Sequence, residues 1–481
     1  MFRKGQWILG FIFTMGFVAV NAQKITYSLE TTAWVSSQSK LPFWMQANQF
    51  GAVPAGDAIS ILPSLRFTSD SSHSWQKEVH FQPFLSVGSQ STLRFIAGFG
   101  SLQRRNFRIW AGIKPQVMGL VDSLHSSGSL TWSGNAQAIP QVSLDMPHFQ
   151  PLFKGRIGWK ASFSHGWFGH QTYAKDYFLH QKSIYLRFGK PEARLKVMGG
   201  ILHHAQWGGE PTTATRPGDG RLYEGKFPGD AYTFTRVVLP LKSLLDDRPG
   251  YNPFELENRF GSHLGQVDLA VELNGSQGNA LFYKQILFET GATFSSLSNV
   301  DDGLYGMVWS PKKTEGIWRR LTLEYLQTTN QGTYQPFLPR LLNLQDRHFS
   351  ENNFYFNHQQ YFDGWSFQRR TIGTPFLIPE EKIRSEKSSN NGYIFTNNNR
   401  IRMFYLGMIH QFSLVELRTR FSFSRNFGSH WIPITPTDQF SLGIETRFPL
   451  GSVYLKTQLA LDRGDLIKDN LGFRLSLEKI W

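Results

Sequence analysis

The C-terminal part of the chain alternates between apolar and polar side chains. Charged residues such as Arg418, Arg420 and Arg474 occupy every second position of these segments. Segments of roughly ten residues with a period of two are typical of strands that cross a membrane at a tilt. The apolar positions are Val415, Leu417, Phe421, Phe423, Phe440, Leu442, Ile444, Phe448, Val453, Leu455, Leu459, Leu461, Phe473, Leu475, Leu477 and Trp481.

The charged face of these strands is predicted to line the interior of a barrel. An arginine or lysine that faces lipid at the membrane midplane costs about 2–4 kcal/mol. Arg418 and Arg420 lie on one face of the same strand, so placing that face outside would cost twice this amount. The face that carries Val, Leu and Phe is therefore predicted to contact lipid.

The connections between these strands predict an orientation in the membrane. Phe412-Ser413 and Pro449–Ser452 are predicted to be tight turns, whereas Arg425–Asp438 and Arg463–Asn470 are predicted to be longer polar loops. Membrane barrels have short periplasmic turns and longer extracellular loops. This alternation places Trp481 on the periplasmic side.

The pattern recurs upstream and predicts an all-β fold, a transmembrane antiparallel β-barrel of roughly 16–18 strands. Four long polar stretches are predicted to be loops, some of them folded inward so that they occlude the lumen: Gly208–Thr233, Lys242–Arg259, Thr328–Phe362 and Pro379–Arg400. The upstream segments predicted to be strands are Ile25–Val35, Val79–Val87, Phe107–Ile113, Leu130–Trp132, Ile157–Phe163, Ile184–Phe188, Val267–Leu273, Ala280–Phe288 and Leu321–Leu326.

The N-terminal residues have the layout of a secretory signal. Arg3 and Lys4 precede an apolar run from Trp7 to Val20, and Ala22 ends a small-residue cleavage pattern. We predict a cleaved signal peptide over 1–22 and one barrel domain over 23–481. The alternative is a transmembrane anchor, for which the run is short, because a membrane helix needs roughly 20 residues.

The final strand, residues 470–481, resembles the signal that is read by the machinery that inserts outer-membrane barrels. Asn470, Gly472, Leu475 and Leu477 follow a polar-x-Gly-x-x-hydrophobic-x-hydrophobic spacing, and the chain stops at an aromatic residue. The alternative is an edge strand of a soluble sandwich. The signal peptide and the asymmetry of the loops favour the membrane interpretation.

Composition agrees with a barrel and limits the chemistry. Aromatic residues make up 15% of the 481 residues and there are 44 glycines, which suits many strands and turns. Cysteine is absent, so disulfides and thiolate metal sites are excluded. The formal net charge of +14 favours anionic partners such as lipopolysaccharide, an acidic glycan or nucleic acid.

The sequence offers little that predicts catalysis. Residues 220–226 have the glycine and lysine spacing of a phosphate loop, but Phe227 replaces the Ser or Thr that would hold Mg²⁺. His203 and His204 are adjacent, so in a strand they would point to opposite faces, and His165 could approach them only through the fold. A metal or general-base role for these histidines is the alternative to simple hydrogen bonding. We predict no catalytic residue, no metal and no cofactor.

A different pattern favours carbohydrate binding. Neutral hydrogen-bonding groups recur beside flat aromatic rings, and this combination suits the apolar faces and hydroxyl groups of sugars. The alternative is an aromatic girdle with polar turns, which any large barrel needs. The candidate glycan-binding residues are His165, Trp167, His203, His204, Gln206, Trp207, His263, Asn330, Gln331, Asn357 and Trp365.

These blocks resemble the capsule-assembly Wzi family in its Bacteroidetes form. The matching segments run in order from about residue 41 to about residue 379, and so cover most of the chain. They are residues 41–44 (LPFW), 48–51 (NQFG), 132–135 (WSGN), 164–168 (SHGWF), 180–187 (HQKSIYLR), 203–209 (HHAQWGG), 261–265 (GSHLG), 302–306 (DGLYG), 324–326 (EYL), 355–357 (YFN), 364–365 (GW) and 373–376 (GTPF).

The resemblance implies an outer-membrane barrel of about 18 strands, largely occluded, that binds capsular polysaccharide, helps to anchor it and is not an enzyme. Some members of the family carry a helical bundle near the periplasmic N-terminus. Here Ile25–Val35 is predicted to be a strand instead.

Three functions follow as hypotheses. The first is a non-catalytic barrel in the outer membrane that binds capsular polysaccharide or exopolysaccharide, with outer-membrane lipid, lipopolysaccharide and the insertion machinery as further partners and without nucleic acid. The second is a porin or a glycan export channel, because a barrel of this size can leave an aqueous lumen. The third is an outer-membrane hydrolase that uses His165, His203 or His204.

Overall fold

The computed structural model describes residues 23–69, 75–212, 225–240, 259–313, 316–342, 353–388 and 394–481. The predicted signal peptide lies outside the described residues. So do most of the predicted loop Lys242–Arg259, most of the segment with phosphate-loop spacing at 220–226, and parts of the other predicted loops.

Eighteen antiparallel strands close into one barrel, as the alternation predicts. The first strand pairs with the last over Ser28↔Ile480 to Ser36↔Gly472, which removes both sheet edges. The strands are β1 Gln23–Ser36, β2 Ala58–Ser69, β3 Gln76–Gly88, β4 Thr92–Arg104, β5 Phe107–Ile113, β6 Gln141–Asp145, β7 Ile157–His170, β8 Ala174–Phe188, β9 Leu195–Trp207, β10 Ser262–Asn274, β11 Gly278–Phe288, β12 Gly303–Pro311, β13 Trp318–Gln327, β14 Ile401–Phe412, β15 Val415–Gly428, β16 Pro433–Leu450, β17 Val453–Gly464 and β18 Asn470–Ile480.

Short elements complete the described part of the chain. Gln150–Leu152 continues the pairing of β6 with β7, and Glu210–Pro211 pairs with β8. Ser366–Phe367 and Arg370–Thr371 form a separate hairpin. The helices are α1 Phe43–Gln46, α2 Ala231–Val238, α3 Gly291–Ser296 and α4 Phe337–Leu341, and there are 3-10 turns at Phe153–Gly155 and Glu380–Lys382. Within the described ranges, no helix is both long and apolar enough to cross a membrane.

The faces of the strands follow the predicted orientation. In β18, Phe473, Leu475 and Leu477 are exposed on the outer face, whereas Arg474 and Ser476 are buried on the inner face. The other strands repeat this arrangement, so the outer wall presents a continuous apolar band. A band of this extent is stable only against lipid.

The connections differ strongly between the two ends of the barrel. At the end that holds Gln23 and Trp481 they are short, including 105–106, 275–277, 413–414 and 451–452. At the other end, here called the long-loop end, the chain makes its extended connections at 37–57, 114–140, 208–261 and 328–400. This is the predicted asymmetry, with Trp481 at the short-turn end.

Two local predictions are wrong. Arg425–Asp438 was expected to be a loop, but β15 continues to Gly428 and β16 begins at Pro433. Beyond the apolar band, on the side of the long-loop end, polar residues can still form cross-strand pairs. Arg425 lies opposite Asp438 on the neighbouring strand and forms an ion pair with it. Leu130–Trp132 was expected to be a strand, but it is an irregular segment in the lumen whose backbone is bonded by side chains of the wall.

Three of the extended connections fill the lumen and are here called the plug: residues 37–57, 114–140 and the described part of 353–400. Their buried aromatic and aliphatic side chains form one cluster with the inner wall, with Trp44, Trp132, Tyr355 and Trp365 among its members. The predicted inward folding is therefore confirmed for the described parts of Thr328–Phe362 and Pro379–Arg400. Segments 37–57 and 114–140 were not predicted to lie inside.

Candidate functional site

Neutral and acidic side chains of the wall hold the plug segment 114–140 by its backbone. Leu130 N donates to Gln285 Oε1 at 2.8 Å, and Thr131 N donates to Gln266 Oε1 at 3.0 Å. Tyr185 Oη donates to Asp268 at 2.7 Å, and the same carboxylate accepts from a backbone N–H of this plug segment. A chain without regular structure needs such partners, because an unpaired buried backbone group is costly.

Two further carboxylates fix the same segment to β13. Asp122 Oδ2 accepts from Arg320 Nε and from Thr322 Oγ1, each at 2.9 Å. Glu324, on the wall, accepts from Ser126 Oγ at 2.6 Å and from Ser127 N at 2.7 Å. Since these bonds join the plug to several strands, the lumen is occluded, and a ligand-binding site accessible from outside is expected at the long-loop end.

Two candidate residues face the plug. His204 has no exposed surface; its ring stacks on Trp132, with centroids 5.5 Å apart, and packs against Trp365 at 5.0 Å. Its Nδ1 lies 2.8 Å from Gln181 Nε2 and its Nε2 lies 3.2 Å from Thr131 Oγ1. Gln206 is buried as well and donates to Gly364 O at 3.0 Å. These side chains join β9 to the plug.

Four other candidates point to the outer face of the wall: His165, Trp167, His203 and Trp207. Helix α2 rests on this face. His263 lies near the start of β10, at the edge of the wall, where it contacts His203 and also lines a cavity described below. His203 Nε2 lies 3.0 Å from His263 Nδ1, and Trp207 packs against Phe234 of the helix. His203 and His204 therefore point to opposite faces, as the strand period predicts.

The histidines of the hydrolase hypothesis do not share one site, because the wall separates His165 and His203 from His204. Among the residues that the structure describes, no group of three or more His, Asp or Glu is placed to hold a metal ion.

Asn330 and Gln331 shape the connection that follows β13. Their backbone N–H groups donate to the Asp302 carboxylate at 2.9 and 2.8 Å, and Tyr355 Oη also donates to it, at 3.0 Å. Burial raises the pKa of Asp302 to about 7. Both Asn330 and Gln331 are fully buried.

Three candidates line one cavity of about 250 Å³ at the long-loop end: His263, Asn357 and Trp365. Asn357 Nδ2 donates to Thr396 O at 2.8 Å, which fixes its side chain at the cavity. Glu289 also lines the cavity, and burial raises the pKa of its carboxyl to about 8. The cavity thus combines aromatic edges with hydrogen-bonding groups. We refer to it as the aromatic cavity.

Sequence reasoning missed Arg259, Glu289 and His358, which also line the aromatic cavity. Arg259 and His358 lie within loops that were predicted from polarity alone. Glu289 directly follows β11. In the sequence, Arg259 lies close to the block 261–265 and His358 lies next to Asn357. This proximity does not show which residues come together in space.

A second cavity of about 310 Å³ was not predicted. It lies at the same end, between residues 38–47, residues 371–385 and the connection after β17. Its charged lining residues include Lys40, Lys382, Arg384 and Lys468. We refer to it as the basic cavity.

A closed 18-stranded antiparallel barrel with an apolar outer band, a filled lumen and cavities at its long-loop end belongs, by fold, to the class of outer-membrane β-barrels. Neither a scan against protein-family models nor a search of curated proteins gives a match for this sequence.

Solved structures show what the fold is similar to. It is similar to Wzi of Escherichia coli, described as an outer-membrane protein involved in group 1 capsule assembly and as a carbohydrate-binding β-barrel, with a TM-score of 0.58 and 14% sequence identity over 94% of this chain and 83% of that one. OccAB2 of Acinetobacter baumannii follows at a TM-score of 0.48 and 9% identity, covering 95% of this chain and 98% of that one. OpdL of Pseudomonas aeruginosa has a TM-score of 0.45 and 10% identity, also over 95% and 98%. At these identities the likeness is one of fold.

Proposed function

We propose that this chain is a non-catalytic member of the Wzi family that binds capsular polysaccharide or exopolysaccharide in the outer membrane and helps to assemble or anchor it there. The observation that carries the proposal is the aromatic cavity. His263, Asn357 and Trp365, three residues chosen from the sequence as glycan-binding candidates, line this one cavity at the end of an occluded barrel.

The chemistry of the aromatic cavity suits a sugar. Aromatic edges accept the apolar face of a pyranose ring, while carboxyl, amide and guanidinium groups bond to its hydroxyls. Glu289 and Arg259 place such groups beside Trp365.

The plug supports retention of a polymer over its passage. Buried bonds between residues 114–140 and the wall, such as those of Asp122 and Glu324, close the route through the barrel. A long polymer that touches many barrels in one membrane is held by many weak contacts at once. Retention therefore needs no deep pocket.

Two further lines of support are weaker. The fold is similar to that of a barrel described as carbohydrate-binding, and the sequence blocks of the Wzi family occur in order along the chain. The outer apolar band would contact lipid and lipopolysaccharide. Recognition of residues 470–481 by the insertion machinery remains a prediction from the sequence.

The proposal is tested by deleting the gene while polysaccharide synthesis stays intact. We expect polymer to move from the cell surface into the medium, and the wild-type gene to restore attachment. Complementation with Arg259→Ala should restore less attachment, because this variant alters the aromatic cavity. Arg319→Ala, which changes a partly exposed arginine at the short-turn end, is the matched control and should restore attachment fully. Unchanged cell-attached polymer in the deletion strain would contradict the proposal.

A further inference from the structure

The basic cavity has an excess of positive charge. Lys40, Lys382, Arg384 and Lys468 line it, together with the two carboxylates of Glu381 and Asp462. Arg384 pairs with Asp469 at 3.2 Å, so the excess charge lies on the three lysines. The cavity volume of about 310 Å³ is at the lower end of the range for small-molecule sites, about 300–1,000 Å³.

The partners of the two carboxylates lie within the protein. Glu381 forms an ion pair with Arg369. Asp462 accepts from Phe43 N at 2.8 Å and from Ser441 Oγ at 2.6 Å. Neither carboxylate forms an ion pair with a described lysine of the cavity, since Glu381 pairs with Arg369 and the partners of Asp462 are a backbone N–H and a hydroxyl.

The two lysines that belong to the plug, Lys40 and Lys382, donate to neutral oxygens. Lys382 Nζ donates to Gln46 Oε1 at 3.1 Å, and Lys40 Nζ donates to the backbone oxygen of Glu381 at 3.1 Å. Among the described residues, neither ammonium has a carboxylate within ion-pair distance. Arg370 adds a further positive charge beside the same glutamine, since it donates to Gln46 O at 3.3 Å.

This arrangement disfavours the charged form of Lys382. Burial, followed by the positive charges of Arg370 and Lys40, lowers the pKa of Lys382 to about 7, against the opposing effect of Glu381. Lys382 is partly exposed in the cavity. A desolvated charge is stabilised by a counterion of opposite sign, and no described carboxylate lies within ion-pair distance of Lys382.

We propose that the basic cavity binds the carboxylate of an acidic sugar residue in the polymer, with Lys382 as its ion partner and Lys40 and Lys468 at its rim. The carboxylate could belong to a uronic acid or to a pyruvate ketal, which share this chemistry. The inference rests on the proposed function and names the class of polymer that the barrel holds.

The proposed ion pair between Lys382 and the sugar carboxylate makes the affinity for the polymer depend on pH. Lys382 is charged below about pH 7 and loses its proton above it, so binding of a carboxylate must take up a proton at higher pH. The affinity is then expected to fall up to about tenfold per pH unit above pH 7. The other charged groups that face Lys382 are Arg370, Lys40 and Glu381. Across the cavity lie Lys468, Asp462 and Arg384, the last paired with Asp469.

The test uses the purified full-length barrel and the polysaccharide of its own strain in two forms, native and carboxyl-reduced. We expect the native polymer to bind at least tenfold more tightly, and Lys382→Gln to abolish this preference. Lys382→Arg should keep the preference but lose the pH dependence, because arginine stays charged. Lys312→Gln, at the short-turn end, is the matched control and should behave as the wild type. Heat-modifiable migration shows that each variant is folded.

The outcomes separate the two proposals. Equal binding of both polymer forms would overturn the carboxylate site and leave the proposed function standing. Absence of binding to either form would count against the proposed function itself. A preference for the native polymer that survives in Lys382→Gln would place the carboxylate site elsewhere and overturn this assignment.

Discussion

The carboxylate of Asp122 lies in the lumen and is shared between two side chains of the barrel wall. Its side chain has no exposed surface, and Arg320, its ion-pair partner at 2.9 Å, is 24% exposed. Removing one partner of a buried pair leaves the other charge without compensation. The loss is of the order of 3 kcal/mol.

Asp122→Asn should therefore loosen the plug and lower the free energy of unfolding by about 3 kcal/mol. Urea unfolding in phospholipid vesicles measures the free energy of unfolding, and planar-bilayer recording measures the ion current through the lumen. The wild-type barrel should pass little current, whereas the variant should show conducting events. Glu416→Gln is the control, because the Glu416–Arg418 pair is partly exposed and should contribute less than about 1 kcal/mol. Stable large currents through the wild type would show that the plug does not seal the lumen.

At the scale of single residues, the sequence predicts which face of the wall a side chain points to, but not which residues it contacts. The strand period alone places His203 and His204 on opposite faces, and the structure confirms it. That His204 would stack on Trp132 and Trp365 could not be predicted, because these residues reach it from two connections far away in the chain. Helix α2, which covers the outer histidines, begins within the predicted polar loop Gly208–Thr233 and extends beyond it to Val238.

Strand β18 carries the clearest test at the scale of single elements. Leu475 lies in the middle of its outer face, and Leu471 lies on the same face near the long-loop end. Leu475→Arg should lower the free energy of unfolding in vesicles by about 2–4 kcal/mol, since it places a charge at the centre of the lipid band. Leu471→Arg should cost only about 0–1 kcal/mol near the interface. Equal effects of both substitutions would mean that the lipid band is not centred on this strand.

The strands could be predicted because each is defined by the alternation of apolar and polar residues along its own segment, with the apolar side facing lipid. Val415–Phe423 and Phe107–Ile113 fall within observed strands for this reason. The plug segment 114–140 has no such period. Ser129 and Thr131 are buried there because wall glutamines accept from the Ser129 hydroxyl and from the Thr131 backbone N–H. A pattern along the chain does not contain that information.

At the scale of the whole molecule, the many alternating strands made a closed barrel predictable. The positions of the cavities depend instead on which loops lie next to each other at the long-loop end. The basic cavity joins residues 38–47, 371–385 and the connection after β17, and the aromatic cavity joins β10, β11 and residues 356–365. Contacts between segments so distant in sequence depend on the three-dimensional path of each loop. The aromatic and polar composition of the blocks indicated a sugar, but not which residues would share a cavity.

The central claim is that the occluded barrel holds a polysaccharide at its long-loop end, and direct binding tests it. The purified barrel, immobilised in lipid nanodiscs, is exposed to the capsular or exopolysaccharide of its own strain and to an unrelated glycan of similar length. We predict saturable binding of the strain's own polymer, weakened by salt if the polymer is acidic, and little binding of the unrelated glycan. Equal binding of both glycans, or binding of neither, would contradict the claim.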